Sequence, residues 1–286
     1  MSTTLTPKAS PQAREAVIDQ EAIDRVVASR RRTTALRIVM GLLVPILVLA
    51  IWEALSRFGV FQRQFIPPPT EVFAGMIRGI QDGTLTAAIA HHGWVSLQRL
   101  VPGFILGVIG GLVVGIAMGI FSLVRYGLQP LISATYPIPK IAIFPILIVI
   151  FGIGDESKIA VVVIAVFFMV AINTTTGIIY SPKIYREVGT AFKLPRWVEY
   201  TKVIIPVALP SILAGVRLGL GNALIVLVGA EFVSSQAGLG YYIWNAWQIL
   251  DINAMFGGLI VIALFGILTN WGLLALEKKL IPWSQA

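Results

Sequence analysis

Ionisable side chains are rare in the long apolar stretches of this 286-residue sequence, so each one that occurs there must be accounted for. Arg217 lies well inside such a stretch, and Glu53 and Glu231 fall near the ends of two others. A charge at the centre of a bilayer costs at least ~2.5 kcal/mol and faces a bundle interior or a wet cavity. Gly215, Gly219 and Gly221 surround Arg217 and leave room for a close neighbour. Its own helix offers no acid nearby, since Glu231 stands about 21 Å further along the axis. Two readings follow. Unless an acid on another span reaches it, Arg217 presents a fixed positive charge that favours anions. The alternative is a structural bond from its guanidinium to backbone carbonyls of an adjacent helix.

Other chemistry is missing. There is no cysteine, hence no disulfide, thiolate metal site or cysteine nucleophile. His91 and His92 are adjacent and cannot form a zinc cluster by themselves. No P-loop, H-E-x-x-H or G-x-S-x-G pattern occurs, so no catalytic residue, metal ligand set or directly bound cofactor is assigned. A proton-coupled carrier would place several acids or histidines within its spans. The expectation is a passive path driven by another component.

The elements that must position these residues are membrane helices. Hydrophobic residues make up 57% and charged residues 13%, against about 25% charged in a soluble domain. A spanning helix needs roughly 20 apolar residues. Six candidates fit: 38–55, 100–124, 131–151, 159–180, 207–232 and 254–276. Long continuous runs exclude a barrel and predict an all-α polytopic protein. In the second span Gly107, Gly111, Gly115 and Gly119 recur every fourth residue and form one stripe for close helix packing. The third is interrupted by Pro137, Pro139 and Pro145, with Lys140 among them. Such a break is tolerated where it faces protein or a wet cavity and often marks a transport route; a plain proline kink is the equal alternative. Before Glu71, Pro67-Pro68-Pro69-Thr70 reads as an extended segment with Thr70 capping a helix of mixed polarity.

The +8 formal charge is read against the membrane rather than against nucleic acid. With the N-terminus inside, sixteen Lys and Arg fall in the inner segments. Only Arg57, Arg63, Arg78, Arg99 and Lys158 fall in the outer ones. Positive residues hold loops on the cytoplasmic side, so both termini are expected there. The division is a tail over 1–37 and a membrane domain over 38–286. Residues 12–28 have weak amphipathic spacing, as a surface helix or an unstructured tail would. Ser29-Arg30-Arg31 is read as a charge cluster before the first span, not as a leader.

The inner loop at about 181–206 is the most distinctive stretch. Ser181 and Pro182 can start a helix and Pro195 stops it. Ile184, Val188, Ala191 and Phe192 share one side, leaving Lys183, Arg186 and Glu187 for a partner.

This loop resembles the EAA loop of ABC importer permeases, in which a Glu is followed six residues later by Gly and then by an apolar-Pro pair. Glu187 and Ile205-Pro206 match. Val188 and Gly189 replace the two alanines, and Lys193 replaces the glycine. The chain is also similar to the nitrate, sulfonate, taurine and bicarbonate branch over roughly 65–276. The matching stretches include Pro137-Ile138-Pro139-Lys140, Phe151-Gly152-Ile153-Gly154, Gly215-Val216-Arg217, Ala230-Glu231-Phe232 and Gly238-Leu239-Gly240-Tyr241. The resemblance implies a type I ABC importer permease fold whose path forms between two copies of the chain. It implies an ATPase partner that uses ATP and docks on Arg186, Glu187, Ala191, Lys193 and Pro195. It further implies a periplasmic or lipid-anchored substrate-binding protein. Arg217, Asn173, Glu231 and Lys140 are the candidate path residues. A self-sufficient channel or carrier is the alternative.

Overall fold

In the computed structural model, residues 36–37 and 39–281 are described, Leu280 by its backbone only. The expected tail over 1–37, its charge cluster and the weak amphipathic stretch fall almost wholly outside them. Among the described residues the chain is all helical. It forms two compact units, one ending at Thr70 and the other beginning at Glu71.

The first unit contains α1, Val39–Arg57. Most of its apolar side chains are exposed, which suits a helix surrounded by lipid. At its end Glu53 accepts the Thr70 N–H (3.1 Å) and the Thr70 hydroxyl (2.8 Å). Thr70 is therefore not the cap expected from sequence. The next helix, α2 (Pro69–Gln81), starts one residue earlier, where proline lacks the N–H that a first helical turn cannot use. Glu53 satisfies the Thr70 N–H from outside the helix.

The second unit is built on three long helices, α3 (Thr84–Ile120), α6 (Asp155–Ile179) and α8 (Arg196–Ser234). Between α3 and α6 come α4 (Ser122–Thr135) and α5 (Lys140–Phe151), bent 92° from each other. Lys183–Ala191 (α7) precedes α8, and Leu239–Gln248 (α9) leads to α10, Ile252–Leu280. Among the described residues five helices are long and apolar enough to cross a membrane, and six if the bent pair is counted as one broken span. The third expected span is thus an elbow that begins at Ser122. The second starts well before residue 100 and contains a π turn over Ile89–Gly93. Asp82 prepares that start. Its carboxylate accepts the Thr84 hydroxyl (2.7 Å) and N–H (2.9 Å), which holds it below the usual carboxylate range.

Helix α6 is the centre of the unit. Apolar lipid tails provide no hydrophobic drive between spans, so close contact must come from small residues. A Cβ on Gly103, Gly107, Gly111, Gly115 or Gly119 would stand only 2.6–2.8 Å from Val162, Val166, Val170, Thr174 or Ile178, respectively. Both helices advance four residues per contact in the same direction, so a β-branched side chain enters each gap. Gly103 extends the predicted stripe by one turn. On the other side of α6, Asn173 fills the space over Gly215 and Ser211 that over Gly177.

Candidate functional site

The loop that begins at Ser181 forms two short helical turns. Ser181 does not cap α7. Its hydroxyl donates back to Ile178 O (3.0 Å), and Pro182 occupies the cap position. Arg186 also turns back, donating to Ile178 O (3.2 Å). Helix α7 ends with Lys193 N–H donating to Thr190 O (3.0 Å) and Leu194 N–H to Gly189 O (2.9 Å). This paired pattern places the residue after the helix in the left-handed region, usually a glycine. Lys193 has φ 49° there, so lysine adopts the backbone that the familiar glycine would.

Gly189 is buried against Glu199, whose Cγ would lie 3.0 Å from an added Cβ. The opposite face is open. Ile184, Val188 and Phe192 are exposed, as are Tyr185 and Trp197. Glu187 is exposed and has no hydrogen-bond or ion-pair partner among the described residues. Glu187, Ala191, Lys193 and Pro195 thus stand on an accessible loop, while Arg186 anchors it to α6.

The candidate path residues do not converge. Arg217 pairs with Glu277, close to the end of α10. An acid from another span therefore does reach it, which removes the free charge of the first reading. Pairing with a residue in the last turn of α10 also places Arg217 nearer that end than mid-membrane. Asn173 donates to Met169 O (2.8 Å) and packs against Gly215.

Lys140 is buried at the elbow rather than in a loop. Its ammonium donates to Thr135 O (2.9 Å), Tyr136 O (3.0 Å) and Ile138 O (3.0 Å), and lies 4.2 Å from the Phe168 ring centre. A cation is well placed at a helix C-terminus, and this one gathers the carbonyls at the bend, of which Thr135 O also accepts the Ile138 N–H (3.2 Å). Lys158 does the same beyond α5, donating to Ile153 O (2.9 Å) and Gly154 O (3.0 Å). Two buried lysines therefore hold the two ends of α5.

Glu231 is fully buried in a network at the end of the bundle opposite α7. Its carboxylate accepts Arg99 Nη1 (2.8 Å), the Ser96 hydroxyl (2.9 Å) and Gly240 N–H (2.8 Å). Arg99 Nε donates to Asp155 (2.7 Å), and its Nη1 also reaches Ala237 O (2.7 Å). The Gly238 N–H donates to His92 Nδ1 (3.2 Å). The network joins α3, α6, α8 and α9. Burial of a charge demands such pairing and hydrogen bonding.

Ser96, Arg99, Asp155, Lys158 and Glu277 are not recognised in the sequence as partners. By sequence Arg99 and Lys158 fall in outer segments because apolar runs start just after them. The available signal is Ser96 and Arg99 three residues apart, on one face of a helix. No group of three or more His, Cys, Asp or Glu suited to a metal occurs among the described residues.

A family model described as binding-protein-dependent transport system inner membrane component matches residues 107–282. The chain is 35% identical to the putative aliphatic sulfonates transport permease protein SsuC of Bacillus subtilis (strain 168), over 86% of this chain and 88% of that protein. It is 34% identical to the taurine transport system permease protein TauC of Escherichia coli (strain K12), over 82% and 86%. Identity to the nitrate import permease protein NrtB of Synechococcus elongatus is 30%, over 82% and 84%.

Proposed function

The chain belongs to the binding-protein-dependent transport system inner membrane component family, the permeases of ABC importers. From that premise we propose that it carries a small sulfonate or comparable oxyanion, such as nitrate or bicarbonate, into a bacterial cell. The relatives named for sulfonates, taurine and nitrate supply the solute class. Its partners are an ABC ATPase and a solute-binding protein. ATP is hydrolysed on the ATPase, and the permease binds no cofactor directly. Two copies of the permease enclose the path.

The observation that carries this reading is the α7 loop. Its apolar face and Glu187 are accessible, while its other face is fastened to α6 and α8 through Arg186 and Gly189. A rigidly mounted, outward-facing helix can take a push from an ATPase and pass it to the spans. The ATPase contact is assigned to Glu187, Ala191, Lys193 and Pro195, with Arg186 positioning the loop.

The inner membrane is the proposed location, with both termini and α7 in the cytoplasm. Arg99, Lys140 and Lys158 belong to the bundle, so they leave the loop count. Fifteen inner Lys and Arg then face three outer ones, a stronger bias than before.

The solute class is tested with the permease, its ATPase and its binding protein reconstituted in vesicles. Uptake of labelled taurine, methanesulfonate and nitrate is compared with that of a labelled amino acid and a sugar. Accumulation of at least one of the anions, and neither of the others, is expected. Uptake of the amino acid or sugar alone would refute the oxyanion assignment.

A further inference from the structure

The spans contain a second polar feature besides the ion pairs. A cleft of about 370 Å³ opens between α3, α4 and α6. Its apolar wall includes Met118 and Ile172, and its polar wall is formed by Gln129, Ser133, Tyr136, Thr175 and Thr176. On α4, Gln129 and Ser133 are one helical turn apart, and Tyr136 follows at the next turn on the same side.

Thr175 is satisfied by Ala171 O (2.8 Å) and Gly115 O (3.2 Å). The side-chain polar groups of Gln129, Ser133, Tyr136 and Thr176 have no partner among the described residues. Polar side chains turned to lipid with nothing to bond are costly, so such groups mark a wet or protein-lined surface. No residue of α4 is buried within the chain.

The cations of the core spans stand in contrast. Arg99 and Arg217 are paired with acids, and Lys140 and Lys158 are held by backbone carbonyls. The cation nearest the polar stripe is Lys140, 3.0 Å from Tyr136 O and 5.9 Å from the Tyr136 ring centre, but its ammonium is engaged by carbonyls. Arg125 stands one turn from Gln129 towards the end that bears α7. It leans on the Tyr126 ring at 5.6 Å.

We infer that this cleft is a solute subsite of the path, in which a small oxyanion is held by the neutral donors of Gln129, Ser133, Tyr136 and Thr176 rather than by a fixed cation. The inference rests on the importer reading above. Hydroxyl and amide groups can donate to an anion's oxygens without an opposite charge to trap it. Passage requires binding strong enough to enter and weak enough to leave. Placed beyond the neutral stretch, Arg125 favours the anion at the mouth on the α7 side. Affinity for the solute then resides in the binding protein, and the permease supplies a shallow site.

The absence of native cysteine permits a direct test. Single cysteines replace Gln129, Ser133 or Thr176 in the permease assembled with its ATPase and binding protein. Each is treated with a small anionic methanethiosulfonate, itself a sulfonate. All three should label, labelling should cut taurine or methanesulfonate uptake at least tenfold, and either solute at high concentration should slow the labelling. Disulfide linkage between two copies, with the thiols closed to reagent, would show that a second permease fills the cleft and would overturn the subsite.

A paired variant, Gln129→Leu with Ser133→Ala, should lower the maximal uptake rate about tenfold. The half-saturating concentration and binding-protein-stimulated ATP hydrolysis should be kept. Uptake within twofold of the parent would also overturn the subsite. Failure of the parent complex to take up any anion would instead strike the importer reading, leaving thiol access to report on the cleft.

Discussion

Arg217 on α8 and Glu277 on α10 form an ion pair between two spans that are far apart in sequence. The pair explains how a guanidinium is carried inside an apolar helix. It also predicts the response to substitution. Glu277→Gln leaves Arg217 without its counter-charge. Removing one partner of a buried pair costs ~3–5 kcal/mol, and partial exposure makes the loss smaller here. The exchange Arg217→Glu with Glu277→Arg should recover at least half of that loss. Thermal unfolding in detergent measures both. Equal stability of Glu277→Gln and the parent would show that the pair contributes nothing.

Packing of α3 on α6 makes a sharper prediction. A methyl group on Gly111 would stand 2.6 Å from the Val170 Cβ, while Gly272 meets nothing within 4 Å. Overpacking a tight contact costs about 1–3 kcal/mol, and larger side chains cost more because the clash is with a rigid β-branched group. Gly111→Leu should therefore abolish recovery of folded protein, and Gly111→Ala should lower the unfolding temperature. Gly272→Ala should leave it unchanged or raise it slightly, since alanine favours helix. Matching behaviour at the two positions would contradict the interlocked geometry.

Lys193 carries a left-handed backbone that glycine adopts without steric penalty. Lys193→Gly should stabilise the end of α7 by about 0.5–1 kcal/mol, the left-handed penalty less the extra entropy of an unfolded glycine. Lys193→Val should weaken it. Hydrogen exchange at the Leu194 amide, which closes the turn on Gly189 O, reports the change. Faster exchange in the glycine variant would refute the assignment.

Glu187 makes no hydrogen bond or ion pair among the described residues, so Glu187→Lys is expected to fold and insert normally. A solvated surface carboxylate changes stability by no more than about 0.5 kcal/mol when replaced. Solute-stimulated ATP hydrolysis and uptake should nevertheless fall at least tenfold. Unchanged uptake would remove Glu187 from the coupling contact.

Much of this was legible from residue type and spacing. The glycine stripe announces its packing because four-residue spacing always falls on one helical side, and proline-bounded residues 182–195 announce a short exposed helix. The buried partners were not legible. Glu277 lies sixty residues from Arg217, and nothing local to either position selects the other. Arg99 and Lys158 border apolar runs, where a loop lysine and a buried clasp have the same sequence signature. The elbow at Lys140 was visible as clustered prolines. Its 92° bend depends on three carbonyls converging on one ammonium, a tertiary event.

The most direct measurement of the central claim is uphill solute accumulation in vesicles containing this chain and its ATPase. ATP is supplied on the α7 side and solute-loaded binding protein on the other. Accumulation should require both the binding protein and hydrolysable ATP, and should cease with a non-hydrolysable analogue. Equal accumulation without ATP, or by the chain alone, would identify a self-sufficient channel or carrier and contradict the account.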